Sequence, residues 1–471
     1  MDLLYLILAL GLPLLLGTGW LQLFTPNSLP GRWPLLAGYG ALLGLLGITV
    51  LMRLIDACGF PLSIAWVGSV SGILALAAIV TKRFTDPVNN TAAMPDFGFC
   101  CMSYWHKLLF SLFFALISLR LLTLGLELIW RPLFPWDATM HWATKAKVWF
   151  HTAGITPFVE PDLWLKMGGE GVFSDHHPEY PQTIPLLQTW VNLALGRWDE
   201  SLMNLPWLLC YAALGCMFYG QARVAGGGAL TALIFTYMLM SMPLINVHVA
   251  LAGYADLFLG TCYVGALMAF HNWSQNKERW QGALALLLAG LCMTIKNEGF
   301  YWFLSFIPAL IVVSLSLRKS LFFLLLLPAL VVAVLWMFPE DINVAGHSLG
   351  QLALSYRPNA LSPILTSFAV FDNWHLFTYL LLCLVPLAFL SNFHRYLGIG
   401  AALTSAVGLL LTLFLFTKFA YGAVYHSSLG RISLHLVPSV MFLIMLAYHE
   451  VCESGSSPDN STAETENLSP D

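Results

Sequence analysis

Charge is what this chain has least of. Of its 471 residues only 10% are Asp, Glu, Lys or Arg, against roughly a quarter in ordinary soluble domains. With 58% hydrophobic residues and a mean hydropathy of +0.74, that scarcity excludes a conventional soluble globule and leaves an integral membrane protein. Positive charge is also short: 21 Lys and Arg stand against 25 Asp and Glu, for a formal charge of -4. The charges lie in short clusters between apolar runs, so no nucleic-acid-binding surface is expected. The nine Cys are mostly single and sit inside apolar runs (Cys210, Cys216, Cys262, Cys292, Cys383), where a thiol behaves as a small hydrophobe. Cys100 and Cys101 are adjacent and poorly placed to pair with each other, so there is no disulfide framework and no zinc spacing. No internal repeat is visible, which weakens a transporter reading built on duplicated halves. No Lys or Arg precedes the apolar core of MDLLYLILALGLPLLLGTGW, which therefore reads as a first membrane helix rather than a cleaved signal.

What is present is a succession of apolar runs. A helix needs about 20 apolar residues to cross a bilayer, and on that rule spans fall near 2–23, 34–52, 61–80, 107–130, 203–222, 228–247, 251–271, 281–295, 299–316, 320–338, 375–391, 397–417 and 432–449. The expected fold is an all-α integral membrane protein of about thirteen transmembrane helices, with short juxtamembrane helices in one large outer loop. Three regions follow: N-terminal spans over 1–106, a main membrane region over 107–449 that includes the 131–202 loop, and a polar tail over 450–471 whose composition predicts disorder.

Lys and Arg in short loops set orientation. With 131–202 outside, the inner side receives Arg32, Lys82, Arg83, Lys107, Arg223, Lys277, Arg279, Arg318, Lys319 and Arg395, and the outer side only Arg53, Lys296, Lys418 and Arg431. The unusual polar clusters then share the outer face: the 131–202 loop, GYAD (Gly253 to Asp256), KNEG (Lys296 to Gly299), the 339–374 loop and the 418–431 connection. One outward-facing site is the simplest account.

In WDATMHWATKA, Pro132 and Pro135 end the preceding span. Asp137 then takes an N-cap position, and four-residue spacing puts Asp137, His141 and Lys145 on one helical face. That row suits general-base chemistry and an anionic head group; the plainer reading is a cap with lysines against lipid phosphate. Trp142 and Trp149 suit a helix anchored at the bilayer interface. FSDHHPEYPQTIPLL gathers Asp175, His176, His177, Glu179 and Tyr180. These are side chains of metal-ligating type without ligand periodicity, and substrate contact or loop structure fits them better. Asp256 opens a span, where a carboxylate also simply favours the helix dipole. Lys296 and Glu298 interrupt an apolar stretch, a costly place for charge unless they face a cavity or each other. Arg120 and Glu127, two turns apart, read as structural contacts between helices. Arg431 begins the last span, as an interfacial flank or as a guanidinium gripping a phosphate.

Taken in order, WDATMHWATKA, HPEYP, GYADLFLG, GLCMTIKNEGF and RISLHLVPS resemble the GT-C superfamily of polytopic glycosyltransferases, which includes protein O-mannosyltransferases and lipid A aminoarabinose transferases. The likeness covers roughly 107–449. It implies transfer of a sugar from a polyprenyl-phosphate donor to an extracytoplasmic acceptor, on the outer face of the cell inner (plasma) membrane. It further implies Asp137 as general base, Lys296, Arg431 and more weakly Lys145 at the donor phosphate, and Asp256 lining the cavity. His141, His176, His177, Glu179, Tyr180 and Glu298 are the candidate substrate contacts. Three spans precede the Asp loop, and a lone Asp137 followed by Ala138 replaces the acidic pair of the mannosyltransferase branch, so that branch's acceptor is not implied. No metal is required if two cations hold the phosphate, although a divalent ion is compatible with the chemistry. Membrane lipids are the surroundings, and the acceptor, whether glycan, lipid or protein, is not specified. The alternatives are a transporter or flippase of lipid-linked or small polar substrates, and a surface-polysaccharide polymerase or ligase.

Overall fold

The computed structural model describes residues 2–85, 99, 102–337, 343–344 and 347–454. Cys100, Cys101, most of the segment between 338 and 346 and the polar tail beyond Ser454 lie outside the described residues.

The chain is built almost wholly of helices. The N-terminal part comprises α1 (Asp2–Phe24), α2 (Arg32–Ala57), α3 (Ile64–Thr85) and α4 (Tyr104–Trp130). The large loop holds a π-helical turn (Ala138–Ala143), α5 (Thr144–Thr152), α6 (Pro161–Lys166), a two-residue parallel ladder of Phe158–Val159 with Phe173–Ser174, and α7 (Thr183–Leu195). Then come α8 (Leu205–Val224), α9 (Ala229–Met240), α10 (Pro243–Ala250), α11 (Asp256–Asn276), α12 (Arg279–Ile295), α13 (Gly299–Leu304), α14 (Phe306–Ser314) and α15 (Leu317–Met337). The C-terminal part runs through α16 (Leu349–Leu352), α17 (Leu361–Ala369), α18 (Phe377–Ser391), α19 (Phe393–Phe416), α20 (Ala420–Val424), α21 (Leu429–Leu434) and α22 (Val437–Ser454).

Among the described residues six helices are long and apolar enough to cross a membrane, namely α1 to α4, the 202–224 segment that contains α8, and α19. A seventh arises if α9 and α10, bent by 62° at their junction, count as one broken span. The expectation of about thirteen spans is thus met in helical content and only in part in span number. Several apolar segments fold as shorter helices, such as α12, α18 and the α13–α14 pair. The exposed faces of α1, α4 and α15 are continuous apolar surface (Leu108, Leu112, Leu119 and Leu122 on α4; Leu321, Phe322, Leu325 and Leu330 on α15). A soluble monomer rarely exposes such area, and a bilayer accepts it.

α1 and α2 form a hairpin held at close range by glycine. A Cβ at Gly44 would overlap the Pro13 carbonyl, and one at Gly17 the Gly40 carbonyl, so backbone packs on backbone as small residues allow between membrane helices. At the centre of the molecule stands α11, buried from Asp256 through Asn272. Towards its C-terminal end Gln221, Asn272, Gln281 and the Tyr39 hydroxyl form a buried hydrogen-bond network joining α8, α11, α12 and α2. These groups are uncharged and satisfy one another, and they fix helix register without the cost of a buried charge. The opposite end of α11 begins with Asp256.

Candidate functional site

Four stretches far apart in sequence meet at the N-terminal end of α11. Asp256 is fully buried and its carboxylate is saturated. Oδ1 accepts from Lys296 Nζ at 2.9 Å and faces His435 Nε2 at 3.0 Å, while Oδ2 accepts from Arg431 Nε at 3.2 Å and Nη2 at 3.1 Å. The other arm of Arg431, Nη1, lies 2.5 Å from Asp137 Oδ2. Lys296 also pairs with Glu298 at 2.9 Å. Three carboxylates and two cations therefore share one cluster. Asp137 is its most open member, with its side chain one-third exposed.

Local sequence explains how the pieces arrive. Gly253 has φ +107°, and a Cβ there would come within 2.6 Å of the Ala138 Cβ and 2.8 Å of Leu133. Only glycine allows the GYAD turn to press against the residue after Asp137, which sets Asp256 beside Asp137. α12 stops at Ile295, and Lys296 is extended (φ −156°, ψ 152°), so its side chain leaves the helix axis towards Asp256. Gly299 starts α13 hard against the last turns of α12, where a Cβ would overlap the Cys292 carbonyl. Arg431 and His435 are four residues apart in and just after α21, the spacing that puts two side chains on one helical face, and both reach Asp256. The guanidinium lies 4.1 Å from the centre of the Tyr254 ring, a cation–π contact that holds the fork in place. His435 in turn accepts from Trp302 Nε1 through Nδ1 at 3.1 Å.

A second cluster lies within the large loop. Asp175, with its side chain 2% exposed, meets His141 Nδ1 at 2.6 Å and Lys145 Nζ at 2.9 Å, and accepts the His177 backbone N–H at 3.0 Å. Burial alone would raise the Asp175 carboxyl, but the hydrogen bonds from His141, Lys145 and the His177 backbone outweigh it and bring it down to about 2. Burial also pushes the Lys145 ammonium below its ordinary value, and Asp175 only partly restores it. Tyr180 is sandwiched between Trp142 (4.9 Å, 17°) and His177 (4.7 Å, 6°). Burial lifts its hydroxyl to about 12, with Lys296 pulling the other way, so this stack borders the first cluster.

Several expectations need correction. Asp137, His141 and Lys145 do not form one row. The wide π turn over Ala138–Ala143 breaks four-residue spacing, so Asp137 faces Arg431 while His141 and Lys145 face Asp175. Asp137 holds the N-cap position but makes no capping bond with its side chain. Lys145, 2% exposed, donates to the His177 carbonyl at 2.6 Å as well as pairing with Asp175, so its ammonium is not open to a donor phosphate. Trp142 and Trp149 are 1% and 2% exposed and do not anchor the loop in the interface; the exposed rings there are Trp130, Phe134 and Trp136. Glu127 pairs with Arg131 at 2.7 Å, one turn on in its own stretch of chain, rather than with another helix.

Of the other candidates, Lys296, Glu298, Arg431 and Asp256 come together with Asp137. His177 pairs with Glu179 at 3.1 Å, both part-exposed, and His176 is exposed, so these three belong to the loop cluster's rim. Among the described residues no three His, Cys, Asp or Glu side chains are grouped to hold a metal ion. Sequence reasoning missed His435, although its four-residue offset from Arg431 was a readable signal. It grouped Asp175 with its loop neighbours without singling it out, and the three partners of Asp175 come together only on folding. Compared with known proteins, the chain matches no family model, no curated protein and no solved structure.

Proposed function

We propose that the protein is a membrane glycosyltransferase that moves a sugar from a polyprenyl-phosphate donor to an acceptor on the extracytoplasmic face of the cell inner membrane. The observation that carries the reading is the Arg431 fork, held on Asp256 by two nitrogens and on the part-exposed Asp137 by the third. A chain with so few charges keeps five of them, from four distant segments, in one cluster. Structural need accounts poorly for that, since buried ion pairs seldom stabilise more than packed apolar side chains of similar volume.

The arrangement gives each group a task. Arg431 and Lys296 are held by Asp256 and together supply two positive charges for a lipid phosphate. A phosphate taking Nη1 of Arg431 displaces Asp137, whose freed carboxylate is then available as general base. The acceptor hydroxyl gives its proton to Asp137 as its oxygen bonds to the anomeric carbon. The bond from that carbon to the phosphate oxygen breaks from the opposite side, with inversion, and its electron pair stays on the lipid phosphate. Arg431 and Lys296 stabilise the growing charge in a site shielded from water. Tyr180, His177 and Glu179 line the approach for the acceptor.

The test is transfer of labelled sugar from a polyprenyl-phosphate donor in proteoliposomes. Asp137→Asn should lower turnover by at least about a hundredfold, the lower range for loss of a general base. Full activity in that variant would remove Asp137 from the role. Translocation of the intact donor without any transferred product would replace the transferase reading by a flippase.

A further inference from the structure

A second feature lies along α12. An apolar groove of ≈ 960 Å³ runs between α1, α2, α3 and α12, walled by Leu16, Trp20, Leu46, Val50, Leu287 and Leu291. Both long walls lead to the same point. On α2, Leu46, Val50 and Arg53 succeed one another at helical spacing, and on α12 Leu287, Leu291 and Thr294 do the same. Arg53 Nη2 donates to Thr183 Oγ1 at 2.7 Å, and that hydroxyl donates to the Thr294 carbonyl at 2.6 Å. One turn beyond Val50 and Leu291, the Arg53 guanidinium thus links the two walls through Thr183.

That guanidinium is half-buried and uncompensated. Among the described residues no carboxylate lies within ion-pair distance of it, and Nε is enclosed without an acceptor. Asp56, one turn on, accepts the Ile155 backbone N–H instead. Among the described residues Nη1 has no acceptor, and it is not enclosed. A desolvated cation without a partner is costly, and one a turn beyond an apolar trough has the placement of a lipid head-group site. At the other end of the groove Arg279 and Glu278 both line it, one charge of each sign, and Glu278 accepts from Trp280 Nε1 at 2.6 Å.

We propose that this groove binds an anionic glycerophospholipid, its acyl chain along Leu46, Val50, Leu287 and Leu291 and its phosphate on Arg53. Charge selects a phosphodiester: it carries one negative charge and matches one guanidinium, whereas a phosphomonoester carries about −1.5 to −2 and would leave the excess uncompensated. The sugar donor, also a singly charged diester, has the Arg431 and Lys296 cluster for its phosphate. The site is independent of sugar transfer and stands or falls apart from it.

Native mass spectrometry of the detergent-purified full chain, titrated in turn with phosphatidylglycerol, phosphatidylcholine and a long-chain polyprenyl phosphate, tests the assignment. Wild type should bind one phosphatidylglycerol in preference to the other two. Arg53→Gln should weaken that binding by about tenfold or more, as loss of a charge-assisted hydrogen bond implies, while Arg279→Gln leaves it within about twofold of wild type. Gly47→Leu provides a variant that keeps Arg53. Gly47 lines the groove, and a Cβ there makes only ordinary contact, 3.7 Å from Leu16 Cδ2, so the larger side chain should fill the trough without disturbing the helices and displace the lipid. Unchanged binding in both Arg53→Gln and Gly47→Leu, loss confined to Arg279→Gln, or equal binding of all three lipids by wild type would each overturn the proposal.

Discussion

Replacing Asp256 by Asn tests the centre of the structure most directly. The carboxylate is fully buried and holds Lys296, both near nitrogens of Arg431, and His435. The amide keeps the volume, removes the charge and turns one acceptor into a donor that faces cations. Removing one partner of a buried ion pair costs about 3–5 kcal/mol. Glu298 still faces Lys296 and Asp137 still faces Arg431, so the lower end, about 3 kcal/mol, is expected. Unfolding in detergent, followed by tryptophan fluorescence, measures it. The informative comparison is a cycle with Arg431→Gln. If the two charges are held by each other, the double variant should be less destabilised than the sum of the singles by at least about 1 kcal/mol, because removing both leaves neither stranded. An Asp256→Asn protein within about 0.5 kcal/mol of wild type, or strictly additive singles, would refute the idea that a buried charge network organises this end of α11.

Other outcomes follow from particular residues. Asp175 titrates lower in the folded protein, at about 2, than its ordinary 3.8. Its stabilising effect, about 2 kcal/mol by linkage, is therefore fully present above pH 4 and fades as pH falls towards 2. Acid unfolding of Asp175→Asn should lack that component, and an identical acid profile would show that the carboxylate is not preferentially ionised in the fold. Gly253→Ala puts a methyl group against Ala138 at a positive φ and should cost about 1–3 kcal/mol. It should also reduce transfer activity, because the contact it spoils sets Asp137 beside Arg431. Tyr180→Leu, which leaves Trp142 and His177 without the ring between them, should affect acceptor KM more than stability if the stack lines the approach.

How much could be read beforehand depended on the range of the interaction involved. Apolar run length marks helices because backbone polar groups in a bilayer must bond within their own segment, and the break at Lys296–Glu298 falls where the sequence interrupts the run. Loop charge put GYAD, KNEG, the Asp137 loop and Arg431 on one face, and Asp137, Asp256, Lys296, Glu298 and Arg431 do meet. Their pairing was not legible. Four-residue periodicity assumes an α-helix, and the π turn after Asp137 breaks it, sending His141 and Lys145 to Asp175 and Asp137 to Arg431.

The sequence by itself determined a helical membrane chain, the segments that carry its rare charges and the side of the helices on which they gather, because all three follow from local hydropathy and loop composition. Only the tertiary structure decided which carboxylate neutralises which cation, that Trp142 and Trp149 are core rather than anchors, and that Arg53 has no counter-ion among the described residues. Those outcomes rest on contacts between residues tens to hundreds of positions apart, set by helix packing and glycine close approach, and hydropathy and spacing do not encode them.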